Sequence, residues 1–262
     1  MRTLVSGARA AKAAGMENRP KILLLAGSFE ARGVAQALSA QGILYDAWLS
    51  EAPRGVAPMP QVPQLRQFGD SGAFEAAVAQ GGYGAVLDAG HSFDRDGTRY
   101  AVAAAAALGL PYLRLERPAW DMACHPRWRT APDVAQACAV IAAGARVFCA
   151  TGWDSLPAFQ GFRGEVLMLR QSRRHSRSAP YPFVKLVFGE PPFSTADEQA
   201  LFALLGVDLL VCRNLGGAAS RTKLDAAAAL NLEVILIDRP PAPEGVRMVT
   251  DVDAALAWVA AL

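Results

Sequence analysis

The chain repeats itself, and that repeat restricts its fold more than any other feature. The stretch AVLDAGHSFDRDGTRYAVAAAAALGLPYLRLERP from Ala85 lies without a gap over VDLLVCRNLGGAASRTKLDAAAALNLEVILIDRP from Val207, with ten of the 34 paired positions identical. The identities include the alanine run, the paired leucines and the closing Arg117-Pro118 and Arg239-Pro240. Each copy reads as strand, polar elbow, alanine-rich helix, strand. That is a βαβ unit, whose right-handed crossover lays a helix over a parallel sheet and leaves the elbow at the carboxyl end of the first strand, where α/β sheets bind ligands. Two such units predict an α/β protein of two similar halves with parallel sheets and a cleft between them.

The rest of the chain keeps the same rhythm. Strand-like runs are expected at Lys21 to Ala26, Tyr45 to Leu49, Ala85 to Asp88, Tyr112 to Leu115, Arg146 to Ala150, Glu165 to Arg170, Val184 to Phe188, Asp208 to Cys212 and Glu233 to Ile237, with helices between most of them. Strands alternating with helices imply parallel sheets. The polar segment from Arg117 to Pro132, rich in proline and tryptophan, interrupts the pattern and is the natural cut. The expected division is a loose extension over 1–20, a Rossmann-like dinucleotide-binding half over 21–118 and a second Rossmann-like half over 119–262. Met16 is an alternative start.

At 52% hydrophobic and 19% charged, the chain can bury one large or two modest cores, which excludes an intrinsically disordered protein. A formal net charge of +2 is too small to attract nucleic acid by bulk electrostatics, so any polyanion would have to meet a local cluster. The strongest is RQSRRHSR, Arg170 to Arg177, which reads as a solvated loop, with contact to substrate carboxylates or phosphate as the alternative. The four cysteines, at 124, 138, 149 and 212, have neither metal-ligand spacing nor the density of a secreted scaffold, and read as reduced thiols of a cytoplasmic protein. No apolar run reaches the length of a membrane span, and no metal site is expected.

The N-terminal KILLLAGSFEARGVAQAL carries the next chemistry. A buried strand runs into Gly27 and Ser28 and a helix begins near Glu30 and Ala31, so backbone N–H groups and the positive end of the helix dipole point at the turn. That suits a phosphate. One glycine is weaker than G-x-G-x-x-G, and the same turn also serves a βα connection that carries no ligand.

Taken together, these motifs resemble the precorrin-6A reductases of cobalamin biosynthesis. That family's Gly-Gly-Thr-x-Glu-Ala-Arg is matched by Ala26, Gly27, Ser28, Phe29, Glu30, Ala31 and Arg32, and its Asp-Ala-Thr-His-Pro-Phe by Asp88, Ala89, Gly90, His91, Ser92 and Phe93. Its Leu-Arg-x-Glu-Arg-Pro-x-Trp is intact from Leu113 to Trp120. A Thr-Gly element stands at Thr151 and Gly152, and Lys-Asn-Ser/Ala-Gly-Gly survives as Arg213, Asn214, Leu215, Gly216 and Gly217, followed by Lys223. The sequence departs from the pattern at Gly90, Ser92, Arg213 and Leu215, and the glycine-rich element before the third strand is reduced to Phe68, Gly69, Asp70, Ser71 and Gly72.

The resemblance implies a reductase that moves hydride from NADPH to a double bond of a precorrin, a tetrapyrrole. It implies that Gly27, Ser28, Glu30, Ala31 and Arg32 hold the cofactor, with Arg32, Ser50 or Arg54 reading the 2′-phosphate. Arg114, Arg117, Arg213, Gly216, Gly217 and Lys223 would meet the substrate's carboxylates. His91 and Asn214, on equivalent elbows, are the candidate catalytic pair, with His91 as hydrogen-bond donor or proton source. Other roles stay open: Arg117 and Arg239 as caps of strand-end carbonyls, Asp88 as an orienter of His91 or a partner of backbone N–H groups, and His125 and His175 as polar surface. Two other classes of protein compete. One is a non-catalytic tetrapyrrole- or nucleotide-binding paralogue on the same fold; the other is an unrelated α/β enzyme, which would need a nucleophile elbow or metal cluster that the sequence lacks.

Overall fold

A computed structural model describes residues 19–52, 58–122, 125–218 and 220–262. The chain divides into two compact units, one running to Arg117 and taking in Pro240–Leu262, the other spanning Pro118–Arg239.

The first unit contains β1 (Ile22–Ala26), α1 (Glu30–Ala40), β2 (Tyr45–Leu49), β3 (Gln64–Leu65), α2 (Ser71–Gly81), β4 (Ala85–Ala89), α3 (Arg95–Leu108) and β5 (Tyr112–Leu115), and is completed by β12 (Met248–Val249) and α7 (Val252–Ala260). Its sheet is parallel, in the order β12-β5-β4-β1-β2-β3. Read from the other edge this is the dinucleotide-fold order, with the sixth place taken by β12. β1 is buried at all five positions, as a central strand covered on both faces must be. Leu24 and Leu87 face one cluster with Val34 and Leu38 of α1 and Trp258 of α7. Leu23 and Val86 face the other with Phe74 and Val78 of α2 and Ala101 and Ala104 of α3. Side-chain caps begin α2 and α3, at Asp70 and Asp94, and left-handed glycines, Gly82 and Gly109, end them.

The second unit contains β6 (Trp128–Ala131), α4 (Val134–Ala139), β7 (Arg146–Ala150), a 3₁₀ helix (Trp153–Phe159), β8 (Val166–Gln171), β9 (Val184–Phe188), α5 (Thr195–Leu205), β10 (Leu209–Arg213), α6 (Thr222–Ala229) and β11 (Glu233–Ile237). Its parallel sheet has the order β6-β11-β10-β7-β8-β9. The two repeats occupy equivalent places: β4, α3 and β5 in one sheet, β10, α6 and β11 in the other. The α/β architecture of two similar halves is therefore correct.

The division differs from expectation at its C-terminal end. Residues 240–262 do not stay with the second half: β12 pairs with β5, Met248 opposite Arg114 and Val249 opposite Leu115, and α7 packs against α1. The chain leaving β5 supplies β6 to the second sheet, and the chain leaving β11 supplies β12 to the first. Each unit thus takes its outermost strand from the segment that follows the other unit's repeat. The extension expected over 1–20 lies outside the described residues up to position 18.

Candidate functional site

In the first sheet β2 and β3 lie to one side of β1 and β4 to the other, so the switch point falls between β1 and β4. Gly27 sits there. A β-carbon on it would stand 2.7 Å from the backbone nitrogen of His91, so the glycine lets the first turn pack directly on the β4 elbow. Gly27 and His91, from two separate motifs, are neighbours.

The turn amides are less available than the sequence predicts. Ser28 N–H donates to the Ala89 carbonyl (3.2 Å), Ala31 N–H to Ser28 Oγ (3.1 Å) and Arg32 N–H to the Phe29 carbonyl (3.2 Å). Among the described residues the N–H groups of Phe29 and Glu30 have no protein acceptor, and these, with the helix dipole behind them, are what the turn offers an anion. The Glu30 carboxylate is bound by the Arg117 guanidinium, which ties the end of β5 to the start of α1 and neutralises a negative charge at the turn. Glu30 and Arg117, expected on cofactor and substrate respectively, hold each other. Arg32 is half-buried, and its guanidinium has no partner among the described residues.

Beside the turn lies a cavity of about 290 Å³ at the carboxyl ends of β1 to β4, with Trp48, Ser50, Arg66, Phe68, Asp94 and Tyr100 in its wall. Arg66 is absent from the motifs legible in the sequence. It follows a two-residue strand too short to read from periodicity, and its guanidinium lies 4.9 Å from the Trp48 ring centre. Trp48 in turn packs against Phe68 and Phe74, so the floor is aromatic. Ser50 is in the same wall, and Arg54 lies outside the described residues.

Arg114 does not reach a rim. It is 3% exposed, and its Nη1 donates to Asp88 Oδ2 (2.7 Å) and Thr98 Oγ1 (2.7 Å) while Nε meets Glu116 Oε2 (3.1 Å). Asp88 also accepts from Tyr112 Oη (2.7 Å) and from Gly90 N–H (2.8 Å). Burial alone would lower the Arg114 pKa; the Asp88 and Glu116 carboxylates outweigh it and hold the guanidinium above its usual value. Asp88 therefore fixes the elbow from below and does not bond His91. A β-carbon at Gly90 would meet Asp88 Oδ1 at 2.8 Å, so the departure from threonine there suits this fold-back. His91 is half-buried, and its Nδ1 accepts from Phe93 N–H (3.2 Å), which leaves the proton of the neutral ring on Nε2.

In the second unit the equivalent elbow is a packed joint. Asn214 is 5% exposed, with Oδ1 accepting from Trp120 N–H (2.9 Å) and Nδ2 donating to the Trp120 carbonyl (3.2 Å). Gly216 is buried, with a left-handed φ of 66°, and a β-carbon there would come within 2.0 Å of the Pro118 carbonyl oxygen. The Gly217 carbonyl accepts from Trp120 Nε1 (2.9 Å), and Arg239 Nε donates to the Asn214 carbonyl (2.7 Å). Arg239 is thus a cap of strand-end carbonyls. Leu215 packs against the apolar cluster of the second sheet. Arg213 reaches the second residue after β7: its Nη2 would lie 3.3 Å from a β-carbon on Gly152. Lys223 Nζ donates to the Ser220 carbonyl (2.6 Å) and stands 5.9 Å from the Trp120 ring centre.

Cys138, Cys149 and Cys212 are buried free thiols; burial pushes Cys212 up to about 12, and Cys124 lies outside the described residues. No cluster of His, Cys, Asp and Glu among the described residues could hold a metal ion, and no helix among them is long and apolar enough to cross a membrane.

The family described as "Precorrin-6x reductase CbiJ/CobK" matches residues 21–260 of the chain. A precorrin-6A reductase of Rhodococcus erythropolis is 35% identical over 246 residues, covering 92% of this chain and 98% of that one. A cobalt-precorrin-6A reductase of Priestia megaterium is 26% identical over 240 residues, covering 84% and 90%. The solved structure "CobK precorrin-6A reductase" superposes with a TM-score of 0.85 at 30% identity, covering 92% of this chain and 96% of that one.

Proposed function

The chain belongs to the precorrin-6x reductase family, and we propose that it reduces a double bond of precorrin-6A to give precorrin-6B, with NADPH as hydride donor, in cobalamin biosynthesis. The metal-free precorrin is favoured over the cobalt form because the reductase named for it is the more similar of the two relatives. The reaction belongs with the water-soluble pathway enzymes of the cytoplasm.

The observation that carries the cofactor reading is the cavity at the switch point of the first sheet. A dinucleotide fits its residues. The Phe29 and Glu30 N–H groups, with the α1 dipole, would take the pyrophosphate. The aromatic floor would take adenine, and Ser50 with Arg66 would take a 2′-phosphate, the charge that distinguishes NADPH from NADH. NADPH supplies hydride; the protein supplies the position from which it is delivered and a proton donor, His91, on the adjoining elbow. The packing of Asn214 gives it a holding task, so His91 is the stronger catalytic candidate.

The test is conversion of precorrin-6A by the purified protein with NADPH or NADH, followed by the two-unit mass gain of the product. NADPH should be preferred, and Arg66→Ala should erode that preference by roughly tenfold or more, the worth of one charge-assisted contact. Binding of precorrin-6A without turnover would favour the non-catalytic paralogue. Equal use of both cofactors by the parent would remove the 2′-phosphate assignment.

A further inference from the structure

The two oxygens of the buried Asp88 carboxylate, near the carboxyl end of β4, have separate tasks. Oδ1 accepts the N–H of Gly90 (2.8 Å), the residue before His91. Oδ2 accepts Thr98 Oγ1 (2.9 Å), Tyr112 Oη (2.7 Å) and Arg114 Nη1 (2.7 Å). These donors fill the roughly four acceptor positions that a carboxylate offers. Arg114 Nη1 also donates to Thr98 Oγ1 (2.7 Å), so the threonine hydroxyl has its own proton to give to Asp88.

Charge balance does not call for the two hydroxyls, because Arg114 already meets the charge of Asp88. What Thr98 and Tyr112 add is direction. One stands in the first turn of α3 and the other opens β5, so together with Arg114 they pin Oδ2 from two further elements. A carboxylate held in that way cannot turn about its Cβ–Cγ bond, and Oδ1 stays aimed at the Gly90 N–H. Burial, and then the Asp88 charge, push the Tyr112 phenol far above its ordinary value, so it stays protonated and donates at any working pH. On its other side the same stretch of backbone meets Gly27, where a β-carbon would come within 2.7 Å of the His91 nitrogen. His91 is thus carried on backbone gripped from two sides. Asp88, Gly90 and Thr98 also stand in the wall of the cavity at the switch point.

We propose that Tyr112 and Thr98 are positioning residues of the reduction: acting through Asp88, their hydroxyls hold the β4 elbow in the geometry from which His91 delivers its proton. The inference rests on the role given to His91 above.

Tyr112→Phe and Thr98→Val each remove one hydroxyl at nearly constant volume and leave the Asp88–Arg114 ion pair in place. Each should lower kcat for precorrin-6A roughly tenfold with KM and NADPH affinity near the parental values, because a displaced donor costs rate and not binding. Thr98→Ser, which keeps the hydroxyl, should retain most of the parental rate. In a His91→Ala background Tyr112→Phe should alter the remaining rate by less than about twofold, since the group it positions is gone.

A second readout does not need turnover. The chain has three histidines, so the His91 ring signals can be followed by NMR of the untagged protein and assigned by their loss in His91→Ala. Tyr112→Phe should shift or broaden them and leave those of His125 and His175, both in the second unit, where they were. An unchanged kcat, an equal loss in both backgrounds, or unmoved His91 signals would each overturn the proposal. Failure of the parent to reduce precorrin-6A would instead overturn the function proposed above, and the ring signals would still judge whether these hydroxyls position His91.

Discussion

Both ends of the Asn214 side-chain amide are bound to the backbone of Trp120, Oδ1 accepting its N–H at 2.9 Å and Nδ2 donating to its carbonyl at 3.2 Å. The joint is buried, and Trp120 Nε1 closes it on the Gly217 carbonyl. Asn214→Ala would leave both Trp120 backbone groups buried without partners, at a cost of about 2–4 kcal/mol. Urea unfolding should register that loss. A variant with parental stability and no turnover would return the amide to the reacting centre.

Arg114 gives the corresponding prediction in the first unit. It and Asp88 are 4% and 1% exposed at the side chain, and removing one partner leaves a buried charge uncompensated. Arg114→Ala should therefore destabilise the protein by about 3–5 kcal/mol. A rim arginine that only touched substrate would leave the melting temperature unchanged and raise KM. Thermal unfolding beside kinetics separates the two roles.

What the sequence made legible follows from burial. The long apolar runs, Ile22–Ala26 and Leu209–Arg213 among them, are strands covered on both faces, and their hydrophobic stretches announce them. β6 and β12 carry no such signal: β6 buries only its first and last residues and β12 has two residues, so neither pattern nor length marks it. These are the strands that change units, which is why the C-terminal division was misplaced. The motifs were legible as positions but not as tasks. Sequence spacing cannot show that Glu30 and Arg117, 87 residues apart, neutralise each other, or that Asn214 faces a backbone and not a cleft.

Acid should unfold the protein through a few identifiable carboxylates. Asp133 is held below its ordinary value of 3.8 by the Gln136 backbone N–H, and Asp197 by the Ser194 hydroxyl and backbone. For Asp46, burial pushes upward but the hydrogen bonds from Lys21 and Tyr83 outweigh it and the net direction is down. A depressed folded pKa means that the unfolded chain binds protons first, so this stability is fully present above the ordinary value and is lost as pH falls through the folded values. The urea midpoint should be flat near neutrality and decline below about pH 4. Asp133→Asn with Asp197→Asn should flatten that decline; an identical acid limb in the double variant would assign it to other groups.

His91 is the residue on which turnover should depend most. Its ring stands on the β4 elbow whose backbone packs against Gly27, so a group on the proton-delivering side is fixed relative to the turn proposed for the dinucleotide. The Phe93 N–H holds Nδ1 as acceptor and thereby sets the tautomer with its proton on Nε2, the form able to donate. If His91 takes a second proton from solvent and passes one on to complete the reduction, His91→Ala should lower single-turnover NADPH oxidation by about 10²–10⁴-fold while NADPH affinity stays near the parental value. His91→Gln, which keeps a donor that cannot give up its proton, should bind precorrin-6A like the parent yet remain slow. Recovery of the parental rate by glutamine would reduce His91 to an orienting donor, and a parental rate in both variants would leave the elbow with a packing role alone.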